Sequence, residues 1–107
     1  MMESELKTLL IILRESFKQI FGEQFDRMLL YGSRARGDAR ADSDIDVLVI
    51  LRDKFDYARA IAQTSEIVAR LSLENDVVIS RSFVAKDRFE YEKSPFLLNV
   101  QREGVPV

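Results

Sequence analysis

Asp44 and Asp46 stand two residues apart at the head of an apolar run, Val47-Leu48-Val49-Ile50-Leu51. If this segment is a strand, side chains two apart point to the same face, with their Cβ atoms roughly 6–7 Å apart. Two carboxylates so placed can share or flank divalent cations; the ions of two-metal phosphoryl-transfer sites lie about 3.5–4 Å apart. Burying an unpaired carboxylate beside such a run costs on the order of several kcal/mol, which a bound cation or an Arg partner would offset. Upstream lies Tyr31-Gly32-Ser33-Arg34-Ala35-Arg36-Gly37. Gly32 lets the backbone approach a ligand closely, and Ser33 offers a hydroxyl and an N–H. If residues 33–36 begin a helical turn, their free N–H groups face an anion. Arg34, Arg36 and Arg40 add positive charge, and the set could hold a triphosphate. Gly32 and Gly37 have the P-loop spacing, but Asp38 and Ala39 stand where that motif needs Lys and Ser or Thr, which argues against a P-loop NTPase.

Asp76 precedes a third apolar run, Val77-Val78-Ile79. A third carboxylate there could complete a metal site or take a proton from an attacking hydroxyl; Glu74 has the same strand parity and is its rival. Each feature alone has a bland explanation: a capped turn, a turn acid, a structural ion pair, a solvated basic loop. Their joint occurrence is what points to one pocket.

These residues need a scaffold. Apolar residues at Leu6, Leu9, Leu10, Leu13, Phe17, Ile20 and Phe21 predict a helix ending at Gly22. Met28–Tyr31 reads as a strand, 32–43 as a loop with room for one helical turn, and Ile45–Leu51 as a strand covered on both faces. A second long helix follows over about Phe55–Leu73, then a strand over Asp76–Ile79. Asp87–Lys93 reads as a short helix or irregular. Ser94-Pro95 is a helix start, with Ser as N-cap and Pro at the first helical position, and that helix stops at Gly104. The order predicts one layered α/β domain (α+β in some schemes) over 1–107.

Composition narrows the chemistry. The 107 residues suit a single domain. With 16 Lys plus Arg against 18 Asp plus Glu, the formal net charge is −2, unlike proteins that hold long nucleic acids by their backbones. No Cys and no His are present. Thiolate chemistry, disulfides and imidazole bases are therefore excluded, and any metal must sit on oxygen ligands, which suits Mg²⁺ or Mn²⁺. The Leu9–Leu13 run is too short and too closely flanked by charge to be a signal core or membrane span, so a cytoplasmic location is the default expectation.

Gly32-Ser33-Arg34-Ala35-Arg36-Gly37 followed by Ser43-Asp44-Ile45-Asp46 resembles the signature of the DNA polymerase β-type nucleotidyltransferase superfamily, in particular its minimal nucleotidyltransferase (MNT, MntA-like) branch. The resemblance implies a single-domain polymerase β-type nucleotidyltransferase fold, a mixed sheet flanked by helices. It implies Mg²⁺, in a two-ion site, at Asp44 and Asp46 with Asp76 as third acid, ATP as substrate, and its phosphates at Gly32 and Ser33, with Arg34 or Arg36 stabilising the departing charge. It further implies a HEPN-domain toxin as partner in a hetero-oligomer, with this chain as an antitoxin that attaches AMP to a Tyr of the HEPN ribonuclease. Two other readings stand beside it: a non-catalytic antitoxin that neutralises its partner by binding, and a small-molecule nucleotidyltransferase. Larger members of the superfamily carry an additional domain that holds the acceptor or base, and the expectation of a single domain here weighs against the last.

Overall fold

The computed structural model describes residue 1 and residues 3–107. Helix α1 (Glu3–Phe21) is followed by a 3-10 turn (Gly22–Gln24), β1 (Phe25–Tyr31), a single helical turn α2 (Ser33–Arg36), β2 (Ile45–Leu51), α3 (Tyr57–Asn75), β3 (Ile79–Ala85), α4 (Lys86–Tyr91), α5 (Pro95–Glu103) and a two-residue β4 (Val105–Pro106). The sheet order is β3-β2-β1-β4. β2 runs antiparallel to β1 and parallel to β3, and β4 lies antiparallel on the far side of β1. The sheet is therefore mixed, as the family resemblance implies.

β2 is apolar almost throughout because helices cover both of its faces. Ile45, Val47, Val49 and Leu51 belong to the core built with α1 (Leu9, Leu10, Leu13, Phe17) and α3 (Ala60, Val68, Leu71). Leu48 and Ile50 face the other way, into a smaller cluster with Leu29, Val84, Phe89, Leu97 and Val100. Strand parity puts Asp46 on this second face, at the end that the short α4 and α5 leave open. α3 crosses between the parallel strands and is fastened to β3 by Arg81, whose guanidinium donates to the Thr64 and Ser65 hydroxyls and the Ile61 carbonyl at 2.9–3.2 Å. Ser94 caps α5 as its sequence predicts, its hydroxyl accepting from the Leu97 N–H, with Pro95 in the first turn.

The expected third strand is corrected. α3 continues to Asn75, and Asp76 is its C-cap, in the left-handed conformation at φ 50°, ψ 51°. Asp is one of the few non-glycine residues that tolerates this region. The strand starts three residues later and continues through Ser80-Arg81-Ser82, polar residues that hid it. β4 was not expected: two residues after a helix carry no periodicity.

Candidate active site

The site is built where β1 ends and β2 begins. Tyr31 is the cross-strand partner of Asp46, so the chain leaves β1 beside that carboxylate and turns at once into α2. Gly32 makes the turn at φ 78°, ψ −159°, a backbone open only to glycine at little cost. A Cβ on Gly32 would lie 2.5 Å from Asp46 Oδ2. The glycine thus does two things: it turns the chain, and it leaves the space the carboxylate fills. Its carbonyl accepts from the Ala35 and Arg36 N–H groups at 3.1 Å, and the Ser33 carbonyl accepts from Gly37 and Asp38. The Ser33 and Arg34 N–H groups, first in the turn, have no intrahelical acceptor.

Arg34 reaches across the loop. Its Nε and Nη2 donate to the Ser43 carbonyl at 3.0 and 2.7 Å, and Nη2 also to the Ala41 carbonyl at 3.3 Å. On the other side of Asp44 the Ile45 N–H donates to the Val78 carbonyl at 2.9 Å. Asp44 is therefore held between two backbone anchors, and its side chain is exposed. Arg36 is exposed and pairs with Asp38 (3.2 Å) and with Glu103 at the end of α5 (3.1 Å).

Asp46 is half-buried. Burial pushes its carboxyl above the usual range, the charge of Asp44 pushes the same way, and Arg36 opposes them. Among the described residues neither Asp44 nor Asp46 forms an ion pair with Lys or Arg. The alternative of an arginine partner for the buried acid is thereby removed. Two repelling oxygen donors beside a close-approaching backbone form a donor set that a hard cation such as Mg²⁺ fits.

The third acid does not join them. Asp76 is exposed at the end of α3, Glu74 reaches toward Arg70 at 3.9 Å, and no cluster of three acids able to hold one ion exists among the described residues. The residue beside Asp46 on β3 is Ser80, with Ser82 next on that face. Sequence reasoning missed these serines because it placed the strand too early. Asp76→Asn keeps a residue type suited to the left-handed conformation; it is expected to leave the affinity for Mg²⁺–ATP within about twofold (less than ~0.4 kcal/mol), measured by calorimetry.

The sequence profile of the nucleotidyltransferase domain matches residues 10–100. The chain belongs to the nucleotidyltransferase family. Two Methanocaldococcus jannaschii proteins, each named "Putative protein adenylyltransferase", are similar to it. One is 31% identical over 94 residues, covering 88% of this chain and 90% of its own length. The other is 30% identical over 90 residues, covering 83% and 84%. A chain of a toxin–antitoxin crystal structure with AMP-PNP superposes on this nucleotidyltransferase with TM-score 0.60 at 19% identity, over 92% of this chain and 69% of that one. A mutant of the toxin–antitoxin MntA–HpeT gives 0.57 at 15%, over 92% and 70%. These likenesses establish the polymerase β-type nucleotidyltransferase fold.

Proposed function

We propose that the nucleotidyltransferase moves AMP from Mg²⁺–ATP to a protein hydroxyl, the Tyr of a HEPN ribonuclease toxin, and so acts as an antitoxin. The observation that carries the catalytic half is the pair Asp44 and Asp46, with Asp46 seated against Gly32 and neither acid in an ion pair with Lys or Arg among the described residues. The resemblance to proteins named as adenylyltransferases supports the protein acceptor; the fold shared with toxin–antitoxin chains supports the biological setting.

In this reading Gly32 brings the backbone to the triphosphate, and the Ser33 hydroxyl and the first N–H groups of α2 donate to its oxygens. Arg36, exposed and paired among the described residues with Asp38 and Glu103, turns to the departing pyrophosphate. Asp44 and Asp46 would hold Mg²⁺, which when bound supplies charge neutralisation at the phosphates. The acceptor oxygen bonds to the α-phosphorus and its proton passes to water as the bond to the bridging oxygen breaks and pyrophosphate leaves. Arg34 acts through the loop rather than on substrate. Arg34→Lys cannot reproduce the fork of donors and is expected to lower the transfer rate by roughly 10–100-fold, as loss of catalytic positioning does, with the fold intact by circular dichroism.

The test is incubation of the wild type with α-labelled ATP, Mg²⁺ and its partner protein, followed by mapping of the label. Label on a tyrosine of the partner is the expected result; no protein label overturns the reading. Exposed apolar residues on two helices, Ile11 and Ile12 of α1 and Leu98 of α5, favour a second reading in which binding alone neutralises the partner. Full neutralisation by a transfer-dead variant would select it.

A further inference from the structure

Phe96 is unexplained by the packing of the fold. α5 anchors itself through Leu97 and Val100, 2% and 1% exposed, while Phe96 in its first turn remains 44% exposed. The ring is nevertheless fixed. Ser94 caps the helix and Pro95 stiffens its start, and the ring meets that of Tyr31 edge-on, centroids 5.4 Å apart and planes at 84°.

Tyr31 is the residue that joins this ring to the chemistry. It is the cross-strand partner of Asp46 and the residue before Gly32. Cross-strand partners share a face of the sheet, so Phe96, packed on the Tyr31 ring, stands on the open face that Asp46 shares. The far end of the same helix is tied to α2 through Glu103 and Arg36. α5 is thus one wall of the site, aromatic at its start and polar at its end. A half-exposed aromatic ring held against its neighbour beside the phosphate turn is the kind of surface on which a base stacks.

Resting on the nucleotidyl-transfer reading above, we propose that Phe96, braced by Tyr31, is the stacking platform for the nucleobase of the triphosphate. The base is then held by its π-face and the phosphates by the Gly32–Ser33 turn, so affinity divides between two separable places.

The experiment measures the affinity of the full chain for ATP and for inorganic tripolyphosphate, both with Mg²⁺, in the wild type, Phe96→Ala and Phe96→Trp. The wild type is expected to prefer ATP by about tenfold, the usual worth of one base–aromatic contact. Phe96→Ala should lose that preference while binding tripolyphosphate as before, and Phe96→Trp should keep it. An unchanged ATP preference in Phe96→Ala overturns the proposal, as does equal weakening of both ligands. Phe96→Ala that binds ATP normally but labels its acceptor poorly also overturns it, and assigns the ring to the acceptor. If the wild type binds neither ligand, the nucleotide site itself falls and the platform with it.

Discussion

Changing Asp44 and Asp46 together to Asn is expected to lower nucleotidyl transfer by at least about a thousandfold, at the upper end of what losing electrostatic stabilisation costs an enzyme, while leaving the metal-free protein as stable as the wild type or more so. The second half follows from the surroundings of Asp46. Its carboxyl is held above the usual range by burial first and by Asp44 second, so the folded state resists its ionisation. Metal-free stability then falls as pH rises from the ordinary carboxylate range through the raised one, and stays lower above it. Asn carries no such penalty. The unfolding midpoint of the double variant should lie at or above that of the wild type at neutral pH, and the gap should close in acid. The ligand effect runs the other way. At ten times its dissociation constant, Mg²⁺–ATP should stabilise the wild type by about 1.4 kcal/mol, or ~5–10 °C in a domain of this size. The double variant should show no such shift. Thermal unfolding with and without Mg²⁺–ATP at two pH values checks both halves. A fall in metal-free stability would mean that these acids serve the fold rather than a ligand.

The second large effect is expected at Gly32. Gly32→Ala places a methyl group at φ 78° and within 2.5 Å of Asp46 Oδ2. The backbone strain costs about 1–3 kcal/mol, and relief requires either the turn or the carboxylate to move. Transfer should fall by more than about a hundredfold, the scale on which small misplacements at a reacting centre act, and the Mg²⁺–ATP stabilisation should disappear. Gly37→Ala is the matched control. That residue also has a positive φ, 83°, but nothing lies within 4 Å of its Cβ position. It should cost roughly 1–2 kcal/mol of strain while activity, corrected for folded fraction, stays within about threefold (~0.65 kcal/mol). Equal losses in the two variants would show that Gly32 matters for turning the chain and not for making room for Asp46.

The sequence made some of this legible and hid the rest, for identifiable reasons. The stripe of α1, the doubly covered β2 and the Ser94-Pro95 helix start each rest on a local rule, and each appears where that rule puts it. The Gly32 turn and the Asp44–Asp46 pair were visible as residue types at fixed spacing. Their mutual contact was not, since it depends on the pairing of Tyr31 with Asp46 across two strands. β3 was misplaced because Ser80-Arg81-Ser82 interrupts its apolar pattern: Arg81 points to α3 to bind Thr64 and Ser65, and the serines face the site. Asp76 looked like the twin of Asp46, an acid before an apolar run, but a left-handed helix cap favours the same residue type. The role of Arg34 was equally closed to the sequence. A basic residue in a glycine-rich loop suggests phosphate, and only its reach to the Ser43 carbonyl shows that it shapes the loop.

The most direct test is a crystal structure of the chain grown with Mn²⁺ and AMP-PNP, with the manganese located by its anomalous signal. The account predicts a peak bonded at about 2.1–2.2 Å to oxygens of both Asp44 and Asp46, near the distance typical of hard divalent ions, with the triphosphate across Gly32 and Ser33. Nucleotide bound with no metal at either aspartate, or Asp46 turned to an arginine in its place, would contradict it.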